Sequence, residues 1–258
     1  MFFRSLKPGL VSDRHLDLIW LALGSTPMVE FAAHAKPDAL VLDLQHGLWE
    51  RGTLESAIGA VGAQVPVIAR CAGNLHGAIV QALDAGAASV LVPLIETAAD
   101  ARKAVSAGRY PPVGVRSAGG VRPLLAGLDA MLTADREVAI GLMIETVEGV
   151  ENVEAIAAVP GVDYLFIGTG DLCLSRGTSD SEVIGRDCER VLRAATARGL
   201  PCGIFTSDAR AARRALERGY RMVVCANDIE LVKQGFLTAR EEVRRSCQTA
   251  ASHIVRTL

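Results

Sequence analysis

Along this chain, short apolar runs alternate with longer segments in which apolar residues return every three to four positions. The short runs are Leu18–Leu23, Ala39–Leu44, Pro66–Arg70, Ser89–Leu94, Ala139–Ile144, Tyr164–Gly168, Pro201–Thr206 and Met222–Cys225. Most are continuous in Val, Ile and Leu rather than alternating, as in parallel strands covered by helices. Helical periodicity fills Thr53–Gly62, His76–Ala85, Ala98–Ala107, Val147–Val159, Ser181–Arg198, Asp208–Arg218 and Asp228–Arg245. Gly86, Gly199 and Gly219 stand where helices should stop, because glycine accepts the left-handed backbone that closes a helix. The repeated βα unit predicts an α/β fold, a (βα)8 barrel of the TIM type, built as one domain over residues 1–258. A doubly wound open sheet shares the alternation. It fits less well, because no glycine-rich phosphate loop follows the first strand and no compositional break divides the chain.

One connection is longer than a single helix. Ala98–Val138 holds a helix, then Tyr110-Pro-Pro-Val-Gly-Val-Arg116-Ser-Ala-Gly-Gly120, then a second helix. A Gly/Pro-rich loop of this kind on a barrel rim is a place for function, and it is expected to line part of a site. The segment after the last strand reads as a plain helix with a polar tail, expected to serve in assembly.

Composition narrows the partners. Half the residues are hydrophobic, the net charge is −2, and no basic stripe interleaved with aromatics suggests nucleic acid. Gly, Pro or charge interrupts every apolar run before it is long enough to span a membrane. The opening MFFRSLKPGL lacks the apolar stretch of a signal peptide. Cys71, Cys173, Cys188, Cys202, Cys225 and Cys247 form no CxxC pair and read as small buried hydrophobes in a reducing cytoplasm.

In a barrel, chemistry gathers at the C-terminal ends of the strands. There the chain places Asp43, Gln45 and His46, then Arg70, Glu145, Asp171, Thr206-Ser-Asp208 and Asn227-Asp228. The opposite ends carry mainly small residues and Pro. Two carboxylates from separate strands, Glu145 and Asp171, make a hard, oxygen-rich site suited to one divalent cation. Gly168-Thr169-Gly170 before Asp171 suggests a backbone nest for an anion. Arg70 closes an apolar strand and is costly to bury unless it meets an anion. His46 reads either as a buried, satisfied histidine or as a functional one, and its place between strand and glycine favours function. Asp208 and Asp228 are expected as helix N-caps. The four lysines, Lys7, Lys36, Lys103 and Lys233, all fall away from strand ends, so a Schiff-base mechanism has no lysine to use.

With these residues in place, the chain resembles the HpcH/HpaI aldolases, metal-dependent pyruvate aldolases related to the citrate lyase β-subunit. The resemblance runs from about Leu23 to Gly177. It rests on Asp43-Leu-Gln-His46-Gly47, Arg70, Ala82-Leu-Asp84-Ala-Gly86, Tyr110-Pro-Pro-Val-Gly-Val-Arg116, Ile144-Glu145-Thr146 and Phe166-Ile-Gly-Thr-Gly-Asp171-Leu172. It implies a modified barrel whose last helix swaps between copies, and a homo-oligomer, hexamer or trimer. It implies Mg²⁺, Mn²⁺ or Co²⁺ on Glu145 and Asp171, His46 as base, and Arg70 stabilising an enolate. It also implies Asp84 as the partner of the catalytic histidine, although Asp84 precedes the fourth strand and so lies at the far end of its own barrel. On this reading Asp43 orients His46, and the amides of Gly168, Thr169 and Gly170 hold a 2-keto acid whose aldol partner is an aldehyde. Two positions depart from the family pattern: Met143 where Gln is frequent, and Gly168-Thr-Gly-Asp171 where Gly-Pro-x-Asp is common. They keep two rivals open, a citrate synthase-like condensation of acetyl-CoA with oxaloacetate and a non-catalytic metabolite-binding barrel.

Overall fold

All eight apolar runs form parallel strands, which close into a barrel in sequence order. The computed structural model describes residues 3–255, with side chains as far as Arg245. The strands are β1 (Leu16–Leu21), β2 (Ala39–Asp43), β3 (Val67–Arg70), β4 (Ser89–Val92), β5 (Ala139–Ile144), β6 (Tyr164–Ile167), β7 (Cys202–Ile204) and β8 (Met222–Asn227). The first begins two residues earlier than its apolar run suggests and the last ends two residues later. Among the described residues no helix is long and apolar enough to cross a membrane.

Strand parity sorts the residues into two cores. Leu18, Trp20, Val41, Ile68, Leu91, Met143, Tyr164, Phe166 and Val224 fill the barrel. Leu40, Leu42, Val67, Ala69, Val90, Ile140, Leu142, Ile144, Leu165 and Ile167 alternate with them and meet the helices outside. Gly141 and Gly203 make the interior possible. A Cβ at the first would collide with the Tyr164 ring, and at the second with the Phe166 ring. The register between β1 and β8 shifts after Leu18, so that Asn227 pairs with inward-facing Trp20.

The helix Lys7–Val11 closes the N-terminal end, with Leu6 and Leu10 reaching the inner core. That end is more polar than the sequence suggests. Lys7 and Arg109 both reach Asp163, at 3.1 and 2.9 Å, and Arg14 pairs with Asp38. These acids sit just before strands, where they read as turn residues.

The long connection also departs from expectation. The helix Ala98–Gly108 runs back from β4, so Tyr110–Gly120 lies beneath the barrel rather than on the C-terminal rim. Arg116 there contacts Asp84 at 2.8 Å, and Arg109 donates to the carbonyl of Val138, which precedes β5. Short helices Val121–Ala126 and Leu128–Thr133 follow and leave Val121, Leu124, Leu125, Leu128 and Leu132 exposed. The expected helix Val147–Val159 is two pieces, Val147–Glu151 and Val153–Ala157, joined at Asn152. The last helix, Asp228–Val255, packs on β1 and β8 near its start, and residues 233–245 are all exposed.

Candidate active site

Inward parity brings Asp43 to the mouth of β2 and Arg70 to the mouth of β3, and the two are register partners. The Asp43 carboxylate accepts from Arg70 Nε at 2.8 Å and forms a second, shorter bond with Nη2. It also accepts from Trp20 Nε1 at 3.3 Å and from the amides of Gln45 and His46 at 3.0 and 3.2 Å. The Arg70 guanidinium lies 5.0 Å from the Trp20 ring centroid, stacked on its face. Burial pushes the Asp43 carboxyl up, but Arg70's bonds and charge, with the His46 amide, outweigh it and hold the group below its usual range. Asp43 thus fixes His46 through the backbone and Arg70 through the side chain.

Glu145 follows inward-facing Met143 at the end of β5 and is fully buried. Its Oε1 accepts from the amide of Leu94 at 2.8 Å, while Oε2 is buried with no partner. Leu94 holds a left-handed backbone, with φ of 55°, next to this bond. Such a conformation in a non-glycine residue is strained and is characteristic of sites. Burial pushes the Glu145 carboxyl up to about 7; the Leu94 amide opposes this, and nearby Asp171 adds to it. A Cβ on Gly168 would collide with Oε2, so any side chain there would displace Glu145.

Asp171 lies in the first turn of the helix Thr169–Arg176, whose N-cap is Gly168. The anticipated anion nest is therefore a helix N-terminus. The amides of Thr169, Gly170 and Asp171 precede the first intrahelical bond, which Leu172 donates to Gly168, and they are free for an anion. His46 sits in the turn after β2 with an exposed side chain, and its imidazole has no hydrogen-bond partner among the described residues. Within one chain His46 is not a buried histidine.

These groups line one cavity of about 570 Å³, together with Trp20, Met143, Leu174, Phe205, Asn227, Asp228 and Ile229. No lysine lines it. Asp84 and the Tyr110–Gly120 loop do not reach it within one chain: Asp84 ends the helix His76–Asp84 and is engaged by Arg116. Asp208 is the expected N-cap, accepting from Ala211. Asp228 is not. Asn227 takes that role, accepting from the Glu230 amide at 2.9 Å, while Asp228 reaches across to the amides of Ala22 and Leu23 at 2.9–3.0 Å. Trp20 and Phe205 escaped the sequence reading, which placed Asn227 at a strand end without giving it a role. Trp20 had a signal, an aromatic amid aliphatic neighbours at an inward position.

Glu145 and Asp171 fit a hard divalent cation. A buried carboxylate oxygen without a partner sits near a second carboxylate, an arrangement that a cation would complete. Among the described residues no cluster of three or more His, Cys, Asp or Glu suggests a closed site. Two carboxylates leave positions for water and substrate oxygens, as magnesium-type sites do.

Comparison with known proteins places the chain in a family. The sequence profile of the HpcH/HpaI aldolase/citrate lyase family matches residues 17–234. The chain belongs to the HpcH/HpaI family. A hydroxypyruvate/pyruvate aldolase of Paraburkholderia phytofirmans is 34% identical over 257 residues, covering 94% of this chain and 98% of the relative. The crystal structure of an HpcH/HpaI family protein from Burkholderia cenocepacia matches with a TM-score of 0.87 at 35% identity, over 93% and 98% of the two chains. The citrate synthase SbnG matches with a TM-score of 0.84 at 25% identity, over 94% and 98%. Further curated relatives of this HpcH/HpaI protein also carry aldolase names, and its activity is that of a carbon–carbon lyase of the class II aldolase type.

Proposed function

We propose that this enzyme forms the enolate of pyruvate, or of a close 2-keto acid, and joins it to or releases it from an aldehyde, with a divalent cation held by Glu145 and Asp171. The observation that carries this reading is the buried, unpartnered Oε2 of Glu145 near Asp171, in the mouth that also holds Arg70 and His46. A bound Mg²⁺, Mn²⁺ or Co²⁺ would supply Lewis acidity toward the keto oxygen. The first-turn amides from Thr169 to Asp171 receive the keto-acid carboxylate. Arg70, with Nε and Nη2 fixed on Asp43, offers Nη1 to the oxygen where negative charge develops. His46, unencumbered at the rim, carries the proton. Asp84 serves a site only from a neighbouring copy. The exposed helix end and the apolar stretch of residues 121–132 support a homo-oligomer, hexamer or trimer, and the five free cysteines among the described residues support a cytoplasmic location.

Exchange of pyruvate methyl protons with solvent, followed by NMR, tests the reading. Chelation should stop exchange and Mg²⁺, Mn²⁺ or Co²⁺ should restore it, whereas Glu145→Gln and Asp171→Asn should lose both metal binding and exchange. Parental exchange in either variant would sink the assignment. Borohydride trapping with pyruvate should leave every lysine unmodified. The likeness to a citrate synthase, with Met143 and Thr169 in the mouth, supports a second reading. Release of thiol from acetyl-CoA and oxaloacetate, without pyruvate exchange, would establish that one instead.

A further inference from the structure

We infer that the acceptor side of this mouth takes an uncharged aldehyde with an apolar tail and turns away aldehydes that carry a second anionic group. The inference rests on the pyruvate-enolate reading above and adds the substrate class on the other side of the new bond.

Strand order separates the two halves of the mouth. Asp43, Arg70, Glu145 and Gly168 occupy the arc from β2 to β6. The arc from β7 through β8 to β1 presents Phe205, Ile229 and Trp20, and Leu174 joins it from the helix after β6, one turn beyond Asp171. The Trp20 and Phe205 rings meet edge-on at 5.3 Å and form a fixed wall. Leu174 is 79% exposed and Ile229 48% exposed, a high exposure for aliphatic side chains at the edge of a pocket. An apolar tail laid between them and the aromatic wall removes this surface from water. The acceptor oxygens on this arc are already engaged: Asn227 Oδ1 caps the last helix and Asp228 holds the amides of Ala22 and Leu23.

Charge points the same way. Four carboxylates line the mouth, Asp43, Glu145, Asp171 and Asp228, against one guanidinium, Arg70, which is committed to Asp43. A divalent cation offsets Glu145 and Asp171, and the keto acid then brings a carboxylate of its own. Within one chain, a second anionic group on the acceptor would find no lysine or free arginine among the described lining residues and would face uncompensated negative charge. In the condensation direction, C3 of the enolate forms the new bond to the aldehyde carbon. The aldehyde π pair moves to its oxygen, which takes one proton, giving a 4-hydroxy-2-oxo acid; cleavage is the reverse.

The test compares kcat/KM for condensation of pyruvate with acetaldehyde, propanal, butanal and succinic semialdehyde, using the full-length protein and Mg²⁺ or Mn²⁺. The value should rise about fourfold per added methylene up to butanal, the increment of a buried methylene. Butanal should exceed succinic semialdehyde, its four-carbon carboxylated counterpart, by at least about tenfold. Leu174→Arg and Ile229→Arg, both at exposed positions, should each shift that ratio toward the carboxylated aldehyde by about tenfold. Because the ratio is taken within one protein, a general loss of activity cancels. Equal or higher kcat/KM with succinic semialdehyde, or a ratio that neither variant moves, overturns the inference. Pyruvate proton exchange without acceptor separates the two claims: exchange without acceptor preference overturns this inference alone, and no exchange overturns the enolate reading with it.

Discussion

At Arg70 the guanidinium is held by a carboxylate below and an indole beside it before any substrate arrives, so its charge needs no rearrangement as the enolate forms. The residue is thus structural in addition to its proposed catalytic role. It is 6% exposed, and deleting it strands Asp43 as an unpaired buried charge. Arg70→Ala should therefore lose about 3–5 kcal/mol of stability in chemical denaturation, in addition to its activity. Arg70→Lys should retain more of the fold yet still fail, because a compact ammonium cannot span Asp43 and substrate at once. His46→Ala should behave oppositely: proton exchange falls by about 10²–10⁴-fold while denaturation and metal titrations match the parent. Asp43 gives the pair a pH signature. Its carboxyl is held below the unfolded value, so its contribution to stability is complete above about pH 4 and disappears as pH falls through the folded value. Denaturation midpoints of the parent and Asp43→Asn should converge as pH is lowered through that range.

The elements impose their own demands, most clearly where two of them leave no room for a methyl group. Gly168→Ala should weaken metal binding in calorimetry by pushing Glu145 aside, with a smaller effect on the fold. Gly141→Ala should instead cost stability, at least about 1–3 kcal/mol, since its Cβ falls within the Tyr164 ring. Neither glycine advertises such a role in sequence, because the collision is with a side chain from another strand. What could be read was local: the eight strands, and the polar residues at their C-terminal ends, followed from period and composition. Asp43, Arg70 and Glu145 were legible because a charge closing an apolar strand is too costly to bury without a partner or a ligand to meet. The placing of Tyr110–Gly120 was not legible, since a loop rich in Gly and Pro looks the same at either end of a barrel. The division of labour between Asn227 and Asp228 was hidden for a related reason. Either residue can cap a helix, and only the position of the β1 loop decides which one does.

On the scale of the whole molecule, the last helix is the feature that a single copy does not satisfy. Its 28 residues extend about 42 Å, and residues 233–245 lie open to solvent. Removing residues 236–258 should lower the molecular mass of the particle in light scattering to that of a smaller assembly or a single chain. An unchanged particle would show that association uses the apolar stretch at residues 121–132 alone. The start of this same helix is part of the candidate reaction chamber, through Asn227, Asp228 and Ile229, and Asp228 bolts it to the turn after β1. The helix is thus a lever whose short arm is a wall of the chamber and whose long arm is offered to a neighbour. Whatever grips the long arm also steadies the wall, so specific activity should drop on dilution in step with dissociation, even though Glu145, Asp171 and Arg70 all come from one chain.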